Sequence, residues 1–200
     1  KDVSGKANVS RFVGNIGTQL AYPMIRPGES VDITVEPAVM VAWGLSNVND
    51  SAIPNEDSLL YEFDESSLYD ANGFGAYDLY EGDGKLSAGL TTRAVWKNGL
   101  NLSTTVGRRW RSRPDPKFDA VSNLQGTTSD WIVAASASYG SAFRVDTKAR
   151  LDEDDLNLNR IDTTVSTRFN RFRGIAQYYK ISNRISPVGS QSEGIFLRGE

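Results

Sequence analysis

The residues that most often carry catalysis or bind metals are missing from this sequence. Its 200 residues include no histidine and no cysteine. A serine-histidine-acid triad, a thiol nucleophile, a disulfide and the usual zinc sites are therefore excluded within it. The side chains left for chemistry are 25 acidic and 22 basic groups, with a formal net charge of −3.

Two groups of carboxylates are dense enough to consider as sites. Glu56, Asp57, Asp64 and Glu65 could supply the acid pair of a hydrolase, but spacing alone brings no two of them together. We interpret them as part of a structural loop that folds over the mouth of a barrel. The run 152–155 could hold divalent cations, but it lacks the spacing and glycine of a calcium loop, which favours a solvated loop tip. We expect no catalytic residue, no metal and no cofactor.

Period-two alternation dominates the chain and predicts strands throughout. In Val31 to Trp43 every odd position is apolar, while the even positions include Asp32, Thr34 and Glu36. The same test predicts eight further strands and no helix, and no apolar run approaches the roughly 20 residues of a spanning helix. The nine predicted strands cover 12–22, 31–43, 86–96, 100–110, 131–139, 143–151, 161–169, 175–181 and 194–200.

Two of the predicted strands are irregular. Pro37 lies inside the clearest strand and removes a donor from the hydrogen-bond ladder, which predicts a bulge or an unpaired carbonyl. Alternation over 175–181 is weaker, and it assigns Ile175, Tyr179 and Ile181 to the apolar face.

The connections between strands alternate in length. Short ones are predicted at 23–30, 97–99, 140–142 and 170–173, and long ones at 44–77, 112–129, 152–160 and 182–192. Short periplasmic turns and long extracellular loops are typical of an outer-membrane barrel. Aromatic residues near the strand ends predict two girdles at the membrane interfaces: Tyr22, Trp43, Trp96, Trp110, Trp131, Tyr139, Phe143 and Phe169.

These patterns predict an all-β fold, an antiparallel transmembrane β-barrel. Bacterial single-chain barrels have even strand numbers, so nine strands predict that residues 1–200 are an internal part of one larger barrel domain. The chain's acidic balance, with a pI of about 5.1, argues against a nucleic-acid partner.

The polar faces of the strands are expected to line the lumen. A charged side chain on the lipid face costs about 2–4 kcal/mol near the midplane. These charges could attract phosphorylated sugar head groups, or they could belong to a solvated wall or to a surface touching a plug protein. The predicted lumen-facing basic residues are Arg11, Lys85, Arg93, Arg109, Arg111, Arg144, Lys148 and Arg150.

An ordered set of short motifs extends from Glu36 to Leu90. The motifs are Glu36-Pro37 in a predicted strand, then Asn55-Glu56-Asp57-Ser58, Phe63-Asp64, Tyr77-Asp78 and Glu81-Gly82 in the connection that follows it. In this order they resemble the LptD family of lipopolysaccharide-assembly proteins, where a Glu-Pro strand leads to Asn-Glu-Asp-Ser-like, FDxxxLF-like and GYDRxEGG-like elements. The departures at Gly75, Leu79 and Asp83 are mild, and beyond the motifs the similarity is one of hairpin spacing. The motif residues, for which we expect a structural role in the loop, are Glu36, Pro37, Asn55, Glu56, Asp57, Ser58, Phe63, Asp64, Tyr77, Asp78, Glu81 and Gly82.

The resemblance implies a transport protein of the cell outer membrane with no catalysis. Such a barrel receives lipopolysaccharide from a periplasmic LptA-like bridge through an N-terminal jellyroll and delivers it into the outer leaflet. An LptE-like lipoprotein plugs its lumen, and outer-membrane lipid surrounds it. Neither the jellyroll nor the closing strands can be located in this sequence, which is the expectation for a central part of the barrel.

Two alternatives stay open. One is a general porin or receptor-type outer-membrane barrel, which would lack the ordered motifs. The other is a soluble carbohydrate-binding or hydrolytic β-sandwich, which the alternation of loop lengths disfavours.

Overall fold

The computed structural model describes residues 11–45, 49, 62–73, 78–119, 121–186 and 189–199, and these form strands, turns and extended segments without a helix. Among them, no helix is long and apolar enough to cross a membrane. The ten strands are β1 (Asn15–Ala21), β2 (Met24–Arg26), β3 (Val31–Gly44), β4 (Asp83–Trp96), β5 (Leu100–Arg111), β6 (Trp131–Tyr139), β7 (Phe143–Leu151), β8 (Leu158–Phe169), β9 (Phe172–Ile181) and β10 (Ser192–Gly199).

The strands form one antiparallel sheet in the order β1-β3-β4-β5-β6-β7-β8-β9-β10, with β2 also paired to β3. The sheet is open, because no ladder joins β1 to β10 in the described residues. This confirms the all-β antiparallel prediction and is the arrangement expected for part of a barrel wall. From β3 onward each strand pairs with the next one along the chain. Short and long connections alternate between the two ends of the strands. We call these two ends the tight-turn end and the long-loop end.

The prediction of a turn over 23–30 is partly wrong. The chain continues along the same edge of β3 after Ala21, which lies opposite Ala38, and β2 resumes with Met24 opposite Val35. Pro23 cannot donate to a ladder, so it separates β1 from β2 without changing the direction of the chain. The turn itself is confined to 27–30.

The predicted bulge at Pro37 is also wrong. Pairing of β3 with β4 keeps one register from Val31 opposite Trp96 to Gly44 opposite Asp83. The Pro37 carbonyl is not orphaned, because it accepts a hydrogen bond of 3.0 Å from the Tyr22 backbone N–H. In an antiparallel strand the N–H and C=O of one residue point to the same neighbour. The missing donor therefore faces the gap between β1 and β2, and the ladder to β4 is unaffected.

The register aligns apolar residues on one face of the sheet, which we call the outward face. Large apolar side chains there are open to the surroundings: Ile16 is 78% exposed and Trp43 is 61% exposed. Soluble monomers rarely expose contiguous apolar patches larger than a few hundred Å². A strand surface with this composition is the one that a membrane barrel presents to lipid. Its further members include Leu20, Val39, Val41, Leu86, Leu90, Leu102, Val106 and Trp110.

Most aromatic residues of the outward face lie near the two ends of the strands, but the prediction is wrong for Tyr22, whose backbone N–H bonds the Pro37 carbonyl in the middle of β3. Tyr139 lies opposite Phe143, and Phe169 opposite Phe172, beside tight turns. Trp110 and Trp131 lie near the long-loop end. Aromatic residues at both strand ends are typical of interfacial girdles, which stay a prediction here.

The face assignment for β9 is wrong. Tyr179 lies opposite Asp162 and Ile175 opposite Ser166, so both share the polar face with β8. Ile181 lies opposite Arg160 and belongs to the same face. Both faces of this strand carry aromatic or aliphatic residues, so alternation within it gives no decisive signal, and pairing with β8 decides its orientation.

The main apolar cluster lies outside the outward face. It is formed by connections that fold onto the other face of the sheet, which we call the inner face. Its buried members come from the β3–β4 connection, the β5–β6 connection and β6: Phe63, Leu68, Leu79, Phe118, Leu124 and Ile132. The cluster lies at the long-loop end and anchors the connections to the sheet.

Candidate functional site

The candidate site is the contact between the inner face and a docked segment, which we define as residues 62–73 and 78–82 of the β3–β4 connection. The docked segment supplies carboxylates, backbone carbonyls and apolar side chains. Strands β4, β5, β7 and β8 supply arginines and lysines. Long-range charge pairs therefore fix where the segment lies.

A pair of glycines makes room for the docked segment. Gly89 of β4 lies directly opposite Gly107 of β5. A Cβ at Gly107 would come within 2.5 Å of the Leu68 side chain, and a Cβ at Gly89 within 2.6 Å of the Tyr69 hydroxyl. The missing side chains form a socket on the inner face, which Leu68 and Tyr69 occupy. Glycine is required here by close approach.

The centre of the contact is a fully buried ion pair. Arg109 Nη1 lies 2.6 Å from Glu81 Oε2, and neither side chain has exposed surface. Arg109 Nε donates to Ser87 Oγ at 2.8 Å, and Nη2 donates to the carbonyls of Leu68 at 2.9 Å and Asp70 at 2.7 Å. The guanidinium therefore joins the carboxylate to the backbone of the docked segment.

Further groups surround this ion pair. The Arg109 guanidinium lies over the Phe63 ring, 4.4 Å from its centroid, within cation–π range. Arg111 Nε lies 3.3 Å from Glu81 Oε1, and Lys85 Nζ donates to the Glu81 carbonyl. The buried carboxylate of Glu81 thus pairs with two arginines and acts electrostatically on a third basic side chain, Lys85. Loss of the Glu81 charge would remove this compensation from all three basic side chains.

A second set of ion pairs holds the beginning of the docked segment. Lys148 of β7 lies 2.8 Å from Asp64 and 2.7 Å from Glu65. Arg150 lies 2.7 Å from Glu62, which also contacts Arg160 of β8. These side chains line a cavity of about 210 Å³ between the segment and the sheet.

The carboxylates of this second set differ in their electrostatic surroundings. Burial raises the pKa of Glu62, and the nearby charges of Arg150 and Arg160 offset only part of that effect. Burial also acts to raise the pKa of Asp64, but hydrogen bonds from Lys148 and Ser66 outweigh it and the pKa is lowered. Asp64 therefore stays ionised and keeps its contact with Lys148 at neutral pH.

Six of the eight predicted basic residues contact the β3–β4 connection. Five do so through the ion pairs and hydrogen bonds above: Lys85, Arg109, Arg111, Lys148 and Arg150. Arg11 donates to the Asp78 carbonyl at 2.6 Å. Arg144 instead pairs with Asp146 on its own strand at 2.6 Å, and Arg93 is exposed. The predicted basic residues that lie in strands all share the inner face. The assignment of this face to a lumen stays a prediction.

The motif residues divide into three groups. Phe63, Asp64, Asp78, Glu81 and Gly82 lie in the docked segment, so motif carboxylates and predicted wall cations are partners. Glu36 and Pro37 lie in β3, on the inner and outward faces respectively. Asn55, Glu56, Asp57, Ser58 and Tyr77 lie outside the described residues.

Several residues of the contact were absent from the sequence-based prediction. Glu62 and Arg160 lie far apart in the sequence, in the β3–β4 connection and in β8, and no local pattern links them. The glycine socket did have a signal. Folding the predicted strands about the turn at 97–99 places Gly89 opposite Gly107, on the polar side of both strands.

The acidic run 152–155 is engaged with arginine. Arg184 lies 3.6 Å from Asp152 and 3.0 Å from Asp155. Among the described residues, no group of three or more acidic side chains is arranged to hold a metal ion.

Comparison with known proteins agrees with the features of the sheet. The family model of LptD, described as LPS transport system D, matches residues 1–193. A search of curated proteins gives no significant match.

Proposed function

Because the chain belongs to the LptD family, which transports lipopolysaccharide at the outer membrane, we propose that it forms part of the barrel wall through which lipopolysaccharide enters the outer leaflet. The observation that carries this proposal is the two-faced sheet. One face exposes apolar side chains, and the other holds paired charges beneath a docked segment. We assign residues 1–200 to a single barrel domain.

The outward face supports contact with membrane lipid. Mid-strand positions such as Leu90 and Val106, which lie opposite each other, are apolar and exposed. A soluble sandwich would bury such positions against a second sheet. Their exposure here favours a barrel wall over the sandwich.

The inner face supports contact with water and with a polar cargo. The docked segment covers it near the long-loop end. Towards the tight-turn end, the side chains of the strip that carries Asp32, Glu36, Arg93, Arg144 and Asp146 are exposed or half-buried. We assign this strip to the lumen, where it meets the phosphorylated head group of lipopolysaccharide or an LptE-like plug lipoprotein. Family membership further suggests an LptA-like bridge as the periplasmic source of the lipid.

The docked segment suggests how the wall is closed at the long-loop end. Because its carboxylates pair with cations from β5, β7 and β8, it covers these strands and partly fills the space beside them. This arrangement favours a transport barrel with a guarded mouth over an open porin. No step of the proposal requires catalysis.

Depletion of the full-length parent protein in cells tests the transport function. We expect lipopolysaccharide at the cell surface, measured by its accessibility to an added lipid A-modifying enzyme, to fall after depletion and to recover with the wild-type gene. A normal surface level after depletion would refute the proposal.

Cysteine labelling tests the assignment of the two faces. In the full-length parent, Leu90→Cys on the outward face should react with a membrane-soluble maleimide. Thr91→Cys on the inner face should react with a small water-soluble maleimide. The opposite pattern would contradict the assignment.

A further inference from the structure

Arg108 is a cation on the outward face, next in sequence to the buried Arg109. It lies opposite Ala88 in the β4–β5 ladder and therefore alternates with Val106 and Trp110 on the apolar side. Its guanidinium carbon lies 5.5 Å from the ring centroid of Trp110 and 4.9 Å from that of Trp131. The charge is thus framed by two indole rings within cation–π range.

Arg108 is poorly supplied with acceptors. Its Nη2 donates to the Ser129 carbonyl at 3.0 Å and lies 3.4 Å from a Glu153 oxygen, and its Nε has no hydrogen-bond partner. The guanidinium of the neighbouring Arg109 has a carboxylate at 2.6 Å and four further acceptors. An arginine carries five N–H donors in its planar fork. Within the described residues, the guanidinium of Arg108 therefore has one backbone acceptor and one long ion pair, and the side chain keeps 12% of its surface exposed.

The position of Arg108 along the strand is that of a membrane interface. It lies three residues before the end of β5 at Arg111, which is roughly 10 Å along the strand at about 3.3 Å per residue. A strand tilt near 40° reduces this distance in height. Tryptophan is enriched at the interface, at the level of the lipid head groups. With the barrel oriented as in the proposed function, the guanidinium comes to the level of the lipid phosphates.

We propose that Arg108, framed by Trp110 and Trp131, binds a phosphate of a lipid head group from outside the barrel. The inference rests on the proposed function for the placement of the long-loop end in the outer leaflet. The guanidinium fork matches the oxygens of a phosphate, and the indole rings exclude water from the contact. Glu153 then competes with the phosphate for the same cation.

Photo-crosslinking in the purified full-length parent protein tests this site. The photoreactive residue benzoylphenylalanine replaces Val106, two residues from Arg108 on the same face. The probes are lipid A carrying its phosphates and the same lipid A after dephosphorylation, each added in detergent micelles. We expect the phosphorylated lipid to crosslink roughly ten times more at limiting concentration, which corresponds to about 1.4 kcal/mol of binding free energy.

Three variants identify the source of this preference. Arg108→Gln should abolish it, because the neutral amide cannot supply the charged fork. Glu153→Gln should increase crosslinking to the phosphorylated lipid, because it removes the competing anion. Arg113→Gln is the control. The Arg113 side chain is 68% exposed and its ion pair with Asp83 is long, at 4.0 Å, so its loss should change nothing.

Each outcome bears on the proposal. If Arg108→Gln still prefers the phosphorylated lipid, the proposal is overturned. Loss of this preference in Glu153→Gln also overturns it, because the ion pair between Arg108 and Glu153 would then only maintain local structure. Equal crosslinking of both lipids by the wild type also overturns it, and leaves the lipid-facing wall intact. Crosslinking of neither lipid would show that the outward face does not meet lipid, and would count against the proposed function as well. Abolition of crosslinking by millimolar inorganic phosphate would assign the site to free phosphate and overturn the lipid proposal.

Discussion

The variant Glu81→Gln should release the docked segment from the sheet. The amide keeps the size and shape of the carboxylate but removes its charge. Arg109, which has no exposed surface, would then lose the one carboxylate that pairs with it among the described residues, and Arg111 and Lys85 would lose the same neighbour. Removing one member of a buried ion pair typically costs about 3–5 kcal/mol. Because the backbone ladder between β4 and β5 does not involve Glu81, we expect this cost to fall on docking rather than on the sheet.

Hydrogen exchange followed by mass spectrometry measures this effect in the full-length parent protein. At about 1.4 kcal/mol per tenfold change, a cost near the lower end of that range raises the exchange rate of peptides within 62–73 by roughly 100-fold. Exchange in the β4–β5 ladder should change little. Glu29→Gln, in an exposed turn, is the matched control and should leave both regions unchanged.

A double variant separates charge burial from packing. Glu81→Leu combined with Arg109→Met removes both charges, and such replacements of a buried pair are often close to neutral. The carbonyls of Leu68 and Asp70 would still lose their donor, so we expect partial rescue. Exchange in Glu81→Gln within threefold of the wild-type rate would refute the reasoning, because the ion pair would then not hold the segment.

Three further predictions follow from the same geometry. Gly107→Ala should weaken docking by about 1–3 kcal/mol, since the new methyl group overfills the socket, and faster exchange in 62–73 is the readout; unchanged exchange would show that the socket is not needed. The pKa of Asp64 is lowered from 3.8, so its contact with Lys148 stabilises docking fully above that value and is lost as the pH falls through the lower folded-state pKa. Exchange measured from pH 6 to pH 3 should show this acid-induced loss in the wild type and not in Lys148→Gln, and identical profiles would contradict it. Leu90→Arg should impair assembly by about 2–4 kcal/mol and Thr91→Arg should not, as judged by heat-modifiable gel migration; equal effects would mean that the two faces are not distinguished by lipid.

The sheet could be predicted from the sequence because its information is local. Alternation in β3, β5 and β7 follows directly from one apolar and one polar face, and the lengths of the connections give the order of the strands. This logic failed in β9, where both faces carry large apolar residues and only the register with β8 determines which face Tyr179 occupies. It also failed at Pro37, because a missing donor disturbs a ladder only on the side to which it points.

The docked segment could not be predicted because its contacts join residues far apart in sequence. Glu62 and Arg150 are 88 residues apart, and Asp64 and Lys148 are 84 apart. Their attraction has no periodic signature. Loop motif and wall charges could each be recognised, but their pairing depends on the tertiary fold.

The chemistry of the inner face explains why the segment is held by charges as well as by apolar contacts. A wall that faces water in a barrel is polar, so a segment lying on it cannot rely on hydrophobic burial alone. Ions can be buried there only if partners compensate their desolvation, and Glu81 with Arg109 meets that condition at a single registration of segment and sheet. A shifted segment would bury Arg109 against groups that do not match it. We therefore expect the ion pair to specify the docked position, and the glycine socket to oppose a lateral shift by steric contact.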